Sequence, residues 1–202
     1  GIEPGTQIRL TGEGEPGARR IAYMETMKGL YERYPDDPEV AAFYSLSLLM
    51  ATGPLGDREF RHPVRAGTIA LQLFEKNPDH PGAAHYTIHA FDDPVHAPLA
   101  LNAAFRFAQI APAVAHARHM PSHIFIQHGM WNHVASSNIS AYQAAVDLWE
   151  SGDSVGDAVH ALDWGQYGHL QRGDYVLARD WIGLLEDLGK RSDGAARAVS
   201  TV

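Results

Sequence analysis

The chain of 202 residues contains no cysteine, which excludes disulfides, thiolate metal ligands and cysteine nucleophiles. Basic residues are also scarce, since 16 lysines and arginines stand against 24 acidic residues and the formal net charge is −8. That balance argues against a nucleic-acid-binding surface. No apolar run approaches the roughly 20 residues of a membrane span. We therefore expect a soluble protein without nucleic-acid or membrane partners, and the compartment stays open between cytoplasm and periplasm.

Motifs that carry familiar chemistry are missing as well. There is no glycine-rich phosphate loop, and no strand precedes a serine in the way a nucleophile elbow requires. Instead, apolar residues recur at helical spacing along most of the chain. The pattern predicts an N-terminal arm or loop over residues 1–17, a helical domain over residues 18–188 and a C-terminal tail over residues 189–202.

Prolines and glycines that mark helix ends recur along the helical part of the chain. Pro78 and Pro112 lie 34 residues apart, and Gly129 and Gly173 each precede an aromatic residue closely at a predicted helix–helix turn. A helix-turn-helix unit of about 34 residues resembles the tetratricopeptide (TPR) repeat. This resemblance covers residues 18–188 and implies an all-α fold, an α-solenoid of TPR-like antiparallel helix pairs. It also implies a concave groove for a peptide or protein partner.

Two short stretches strengthen the resemblance. The sequences HPGAAHYTIHAFDDP and HARHMPSHIF are similar to those of a group of bacterial TPR-like proteins of unassigned activity. Because no reaction is established for that group, the resemblance implies a fold and leaves function to the residues themselves.

Histidine is concentrated in the middle of the chain. Nine of the twelve histidines fall between residues 80 and 133. Two pairs share an i, i+4 spacing: His85 and His89 in HYTIH, and His119 and His123 in HMPSH. Residues at i and i+4 project from one helix face, and each member of the first pair precedes its counterpart by 34 residues. Equivalent positions of successive repeats stack side by side, so the four imidazoles are expected to converge on the concave face.

Four neutral imidazoles without a thiolate suit a transition metal. Zinc is the expected ion, with copper, nickel and iron as alternatives. The glutamate of a zincin HExxH helix is absent, because Tyr86 and Met120 occupy its place. Pro121 interrupts the second pair, so the helix either begins near Pro121 or is kinked there. A hydrogen-bonded layer of histidines without metal is an open alternative.

Neighbouring residues could complete such a site. Aligning Gly129 with Gly173 places His160 and Asp163 across from His116 and His119 in the next repeat. His116, Asp163 and Asp92 are candidate general bases, whereas Trp164 is better explained as core packing.

The sequence leaves three functions open. The first is an interaction module whose His85, His89, His119 and His123 hold a metal ion beside the groove. The second is a metal-dependent enzyme, a hydrolase or oxygenase, that uses the same site on a small-molecule substrate, with its catalytic residues unidentified. The third, metal storage or delivery, is less attractive for Cu(I) because thiolates are absent.

Overall fold

The computed structural model describes residues 14–150 and 153–191, which are helical and contain no strand. The helices, in chain order, are α1 (Pro16–Arg33), α2 (Pro38–Thr52), α3 (Arg61–Lys76), α4 (Pro81–Ala90), α5 (Ala97–Ile110), α6 (Ala115–His119), α7 (Pro121–Gln127), α8 (Trp131–Asp147), α9 (Gly156–Gln171) and α10 (Tyr175–Arg191). The all-α prediction is confirmed for these residues. Helix α1 begins slightly before residue 18 and α10 runs slightly past residue 188. Most of the predicted arm (1–13) and tail (192–202) lies outside the described residues, so the domain boundaries stay predictions.

Local sequence signals account for several helix boundaries. The Asp37 carboxylate accepts hydrogen bonds from the backbone N–H groups of Glu39 (2.9 Å) and Val40 (3.1 Å), and Pro38 follows it at the first helical position. His80 caps α4 in the same way, with its Nδ1 accepting from the Ala83 N–H at 3.2 Å. Gly129 (φ +64°) follows the end of α7 in the left-handed conformation that the sequence predicts for this turn.

The chain divides into two compact units, residues 1–103 and 104–202. In the first unit, helices α1 to α4 pack in chain order, each against the next. Its core is apolar and includes Leu48, Ile69, Leu73, Phe74 and Ile88. Short turns between helices that pack together make those helices antiparallel, as a helical repeat requires.

In the second unit, α6 and α7 pack against α8, α8 packs against α9, and α9 packs against α10. A buried apolar cluster joins these last three helices and comprises Ala141, Tyr142, Ala158, Ala161, Leu162, Trp181 and Leu188. None of the helices in the described part of the chain combines the length with the apolar character that a membrane span requires.

One glycine sets how closely α9 and α10 approach. A Cβ added at Gly165 would lie 1.8 Å from Cζ3 and 2.0 Å from Cη2 of Trp181, distances that no side chain can occupy. The indole of Trp181 is 7% exposed, so it has little room to withdraw. The absence of a side chain at residue 165 is therefore what lets the Trp181 ring lie on the surface of α9.

We expect Gly165→Ala to lower the free energy of unfolding by about 1–3 kcal/mol, because overpacking a filled core forces side chains or backbone to shift. Gly183→Ala in α10 is the matched control, since nothing lies within 4 Å of its added Cβ. That control should be neutral or stabilising by up to about 1 kcal/mol, from helix propensity alone. Urea unfolding of both variants measures the difference, and equal stability of the two would contradict this packing argument.

Candidate metal centre

The two predicted histidine pairs each bring their ring nitrogens together. In the first unit, the Nε2 atoms of His85 and His89 lie 3.0 Å apart on α4. In the second unit, the Nε2 atoms of His119 and His123 lie 3.1 Å apart. The i, i+4 argument is thus confirmed within each pair. Convergence of all four imidazoles would draw on both units, and it stays a prediction.

Pro121 does not separate His119 from His123. Met120 keeps helical torsions (φ −52°, ψ −35°), so the usual bias against helix before proline is overridden here. Helix α6 ends at His119 and α7 begins at Pro121, so a helix does begin at Pro121, but His119 lies in the preceding helix. The Ser122 hydroxyl donates to the His119 carbonyl at 2.6 Å, and this bond satisfies a backbone acceptor at the break.

A third imidazole joins the second pair. His160 of α9 places its ring centroid 4.5 Å from that of His119. Ligand nitrogens of His119, His123 and His160 all lie within 4.8 Å of one another, and we call these three residues the His119 cluster. Nitrogens that share a tetrahedral zinc ion lie about 3.3 Å apart, given bonds of about 2.0–2.1 Å. The cluster is therefore close to the dimensions of a metal shell.

The cluster runs from the core to the surface. His119 is 4% exposed, His123 is half-buried and His160 is exposed. Repeat alignment placed His160 across from His116 and Asp163 across from His119, whereas the structure brings His160 to His119 itself. The sequence argument did not include His160 among the ligands.

Asn138 of α8 fixes the chemical state of the buried histidine. Its side chain is fully buried, and its amide nitrogen donates to the Val134 carbonyl at 2.8 Å. Because a carbonyl can only accept, the amide oxygen must face His119, whose Nδ1 lies 2.7 Å away. Nδ1 of His119 therefore carries the proton and donates it to Asn138. Nε2 of the neutral ring then presents its lone pair toward His123, as a metal-binding histidine does.

Burial reinforces this neutral state. The pKa of His119 is lowered from 6.5 to about 4, mainly by desolvation. The hydrogen bond to Asn138 opposes this shift, and the nearby rings of His123, His160 and His116 add to it. Partial desolvation by neighbouring groups also lowers the pKa of His116, although its side chain is exposed, and Asp157 opposes this shift. An imidazole must be neutral to bind a metal, so these environments favour the binding form near pH 7.

Trp164 forms a wall of the cluster. Its indole centroid lies 4.4 Å from that of His123, 5.1 Å from that of His119 and 5.7 Å from that of His160. The side chain is half-buried, and it packs against imidazoles rather than against the apolar core alone. An indole is not a metal ligand, so any coordination at this place would fall to the histidines.

The acidic residues and the further histidine near the paired histidines differ in their contacts and in their exposure. Asp93 accepts from the N–H groups of Val95 and His96 and from the His96 ring, which confirms a turn at this point of the chain. Asp92 is half-buried, whereas Asp163 and His116 are exposed. A role as general base stays a prediction for Asp92, Asp163 and His116.

Comparison with known proteins bears on the fold. Neither the protein-family models nor the curated proteins give a match to this chain. Among solved structures, the fold is similar to that of MamA, residues 41 to the end, from Desulfovibrio magneticus RS-1, a TPR protein. That match has a TM-score of 0.67 and 14% sequence identity, and it covers 94% of this chain and 93% of that chain. The predicted fold class, an α-solenoid of TPR-like helix pairs, is confirmed.

The lowered pKa of His119 predicts how the metal-free protein responds to acid. Unfolding restores the ordinary pKa of 6.5, so below that pH the unfolded chain binds a proton that the folded chain does not. The contribution of His119 to stability is complete above about pH 6.5, declines as the pH falls and levels off below about pH 4. The difference between the two pKa values corresponds to a change of about 3 kcal/mol in the free energy of unfolding.

Unfolding measured between pH 7 and pH 4 in the presence of a chelator tests this prediction. His119→Gln is the reference, because an amide does not titrate in this range. The pH profile of the wild type should be the steeper of the two, and parallel profiles would show that His119 does not titrate as described.

Proposed function

We propose that this protein is a TPR-like interaction module that holds a transition metal ion at the paired imidazoles of its repeats. The observation that carries the proposal is the close approach of Nε2 atoms, 3.0 Å for His85 and His89 and 3.1 Å for His119 and His123. Nitrogen ligands without thiolates or carboxylates suit zinc, and copper, nickel and iron bind the same donors.

The fold supports the interaction part of the proposal. Helical repeats present an extended surface formed by side chains of successive helices, and such surfaces bind peptides or protein segments. Here a concave groove lined by the histidines would receive a peptide or protein partner, or a small molecule. The metal would then either order the groove or take part in recognition.

We expect the double variant His89→Ala/His123→Ala to lose its bound metal, because it removes one imidazole from each pair. Elemental analysis of protein purified without chelator measures the metal content, and circular dichroism checks that helicity is retained. His133→Ala is the control, since His133 is exposed and packs near Phe105 and Phe125 rather than with either pair. Full metal content in the double variant would rule out the paired histidines as ligands.

The Asn138 hydrogen bond gives a second test. We expect Asn138→Leu to weaken metal binding by about 10–100-fold, the range found for residues that orient a ligating histidine. Without the amide oxygen, His119 loses the partner that holds its ring and its tautomer. Asn132→Leu on the same helix is the control, because Asn132 is exposed. Isothermal titration of chelator-treated protein with Zn²⁺ measures the change, and an unchanged affinity in a folded Asn138 variant would contradict the proposed role.

A metal-dependent enzyme, a hydrolase or oxygenase, is the second candidate. One observation favours it: the His119 cluster supplies three imidazoles, and catalytic zinc commonly binds three protein ligands plus water. Turnover of model esters or phosphoesters by the zinc-loaded protein, abolished in His123→Ala, would support hydrolysis.

A further inference from the structure

We infer that the His119 cluster is a metal centre in its own right, in which His119, His123 and His160 bind one divalent transition-metal ion. This inference rests on the proposed function and names a ligand set for it. All three residues belong to the second unit, and His160 is a ligand that the spacing of the paired histidines did not indicate.

The first step of the argument is the nature of the three donors. The hydrogen bond to Asn138 leaves Nε2 of His119 as an acceptor, and this atom lies 3.1 Å from Nε2 of His123. A hydrogen bond donated by His123 would satisfy those two atoms. It would not explain a third imidazole whose centroid lies 4.5 Å from that of His119. One ion satisfies the lone pairs of all three rings at once.

The second step is adjustment of the third ligand. His119 is held by burial and by Asn138, so its nitrogen is fixed before any ion binds. His160 is exposed and can change rotamer at little cost. Nitrogens within 4.8 Å need only small rotations to reach the spacing of about 3.3 Å that a tetrahedral ion imposes. The buried ring thus anchors the ion and the exposed ring completes the set.

The third step concerns the surroundings. Trp164 lies within 5.7 Å of all three imidazole centroids, which shields the cluster on that side and puts an indole beside the proposed ion. The chain has four tryptophans. Trp181 packs against His169, and Trp131 against Tyr167, at other places on these helices. A paramagnetic ion in the cluster would quench Trp164 most strongly.

The experiment titrates the chelator-treated full chain with Co²⁺ and follows both bound metal and tryptophan fluorescence. We expect the wild type to bind Co²⁺ with strong quenching, and Trp164→Phe, compared at saturating Co²⁺, to lose most of that quenching. His160→Ala and His123→Ala should each weaken binding at the quenching site by more than about 100-fold, since losing a ligand costs more than losing the partner that orients it. His133→Ala should behave as the wild type.

The outcomes separate this inference from the proposed function. Absence of Co²⁺ and Zn²⁺ binding by the wild type would overturn both. Binding that leaves Trp164 unquenched, or that His160→Ala does not weaken, would overturn the three-histidine centre and leave metal binding elsewhere intact. His160 and His123 are not core residues, so circular dichroism should confirm that both variants fold.

Discussion

The hydrogen bond between Asn138 and His119 is the interaction on which the rest of the site depends. A buried amide and a buried imidazole each carry a cost unless their polar atoms are satisfied. Asn138 meets that requirement by donating to the Val134 carbonyl and accepting from Nδ1 of His119, at 2.8 and 2.7 Å. This pairing leaves Nε2 of His119 as an acceptor for a hydrogen bond or a metal ion. Without it, the tautomer of the ring and the direction of its lone pair would be unspecified.

Helical repeats suit this kind of site because each helix can contribute one group at a chosen depth. Helices α6, α7 and α9 supply His119, His123 and His160, while α8 supplies the amide behind them. The three imidazoles range from buried to exposed. The break at Pro121 is compatible with this arrangement, because the Ser122 hydroxyl donates to the His119 carbonyl there and the Nε2 atoms of His119 and His123 still lie 3.1 Å apart.

Sequence could predict the parts of this structure that depend on local chemistry. Asp37 and His80 lie directly before prolines, and both cap helices. The i, i+4 spacing was enough to bring imidazoles into contact within each pair, because it depends on helix geometry alone. The TPR-like fold followed from the 34-residue period and its turns.

What sequence could not predict depends on distant packing. Asn138 lies in a serine-rich stretch of α8, and nothing local identifies its partner nineteen residues away. Aligning the turns places His160 opposite His116, and its contact with His119 depends on the spacing of the helices. Trp164 has the pattern of a core residue, and only the fold shows which rings it contacts. Met120 departs from the usual preference before proline because tertiary packing outweighs it.

The bare backbone at Gly165 has a consequence beyond stability. Trp164 and Gly165 are adjacent on α9, and their positions lie about 100° apart around the helix axis. Trp164 contacts the imidazoles, and the Trp181 indole packs at Gly165. Coordination tolerates errors of only a few tenths of an ångström, whereas one methyl group can push a helix further than that. Affinity for an ion at the imidazoles would therefore change with alterations at the Gly165 face of α9, so the spacing between α9 and α10 would be a determinant of chelation.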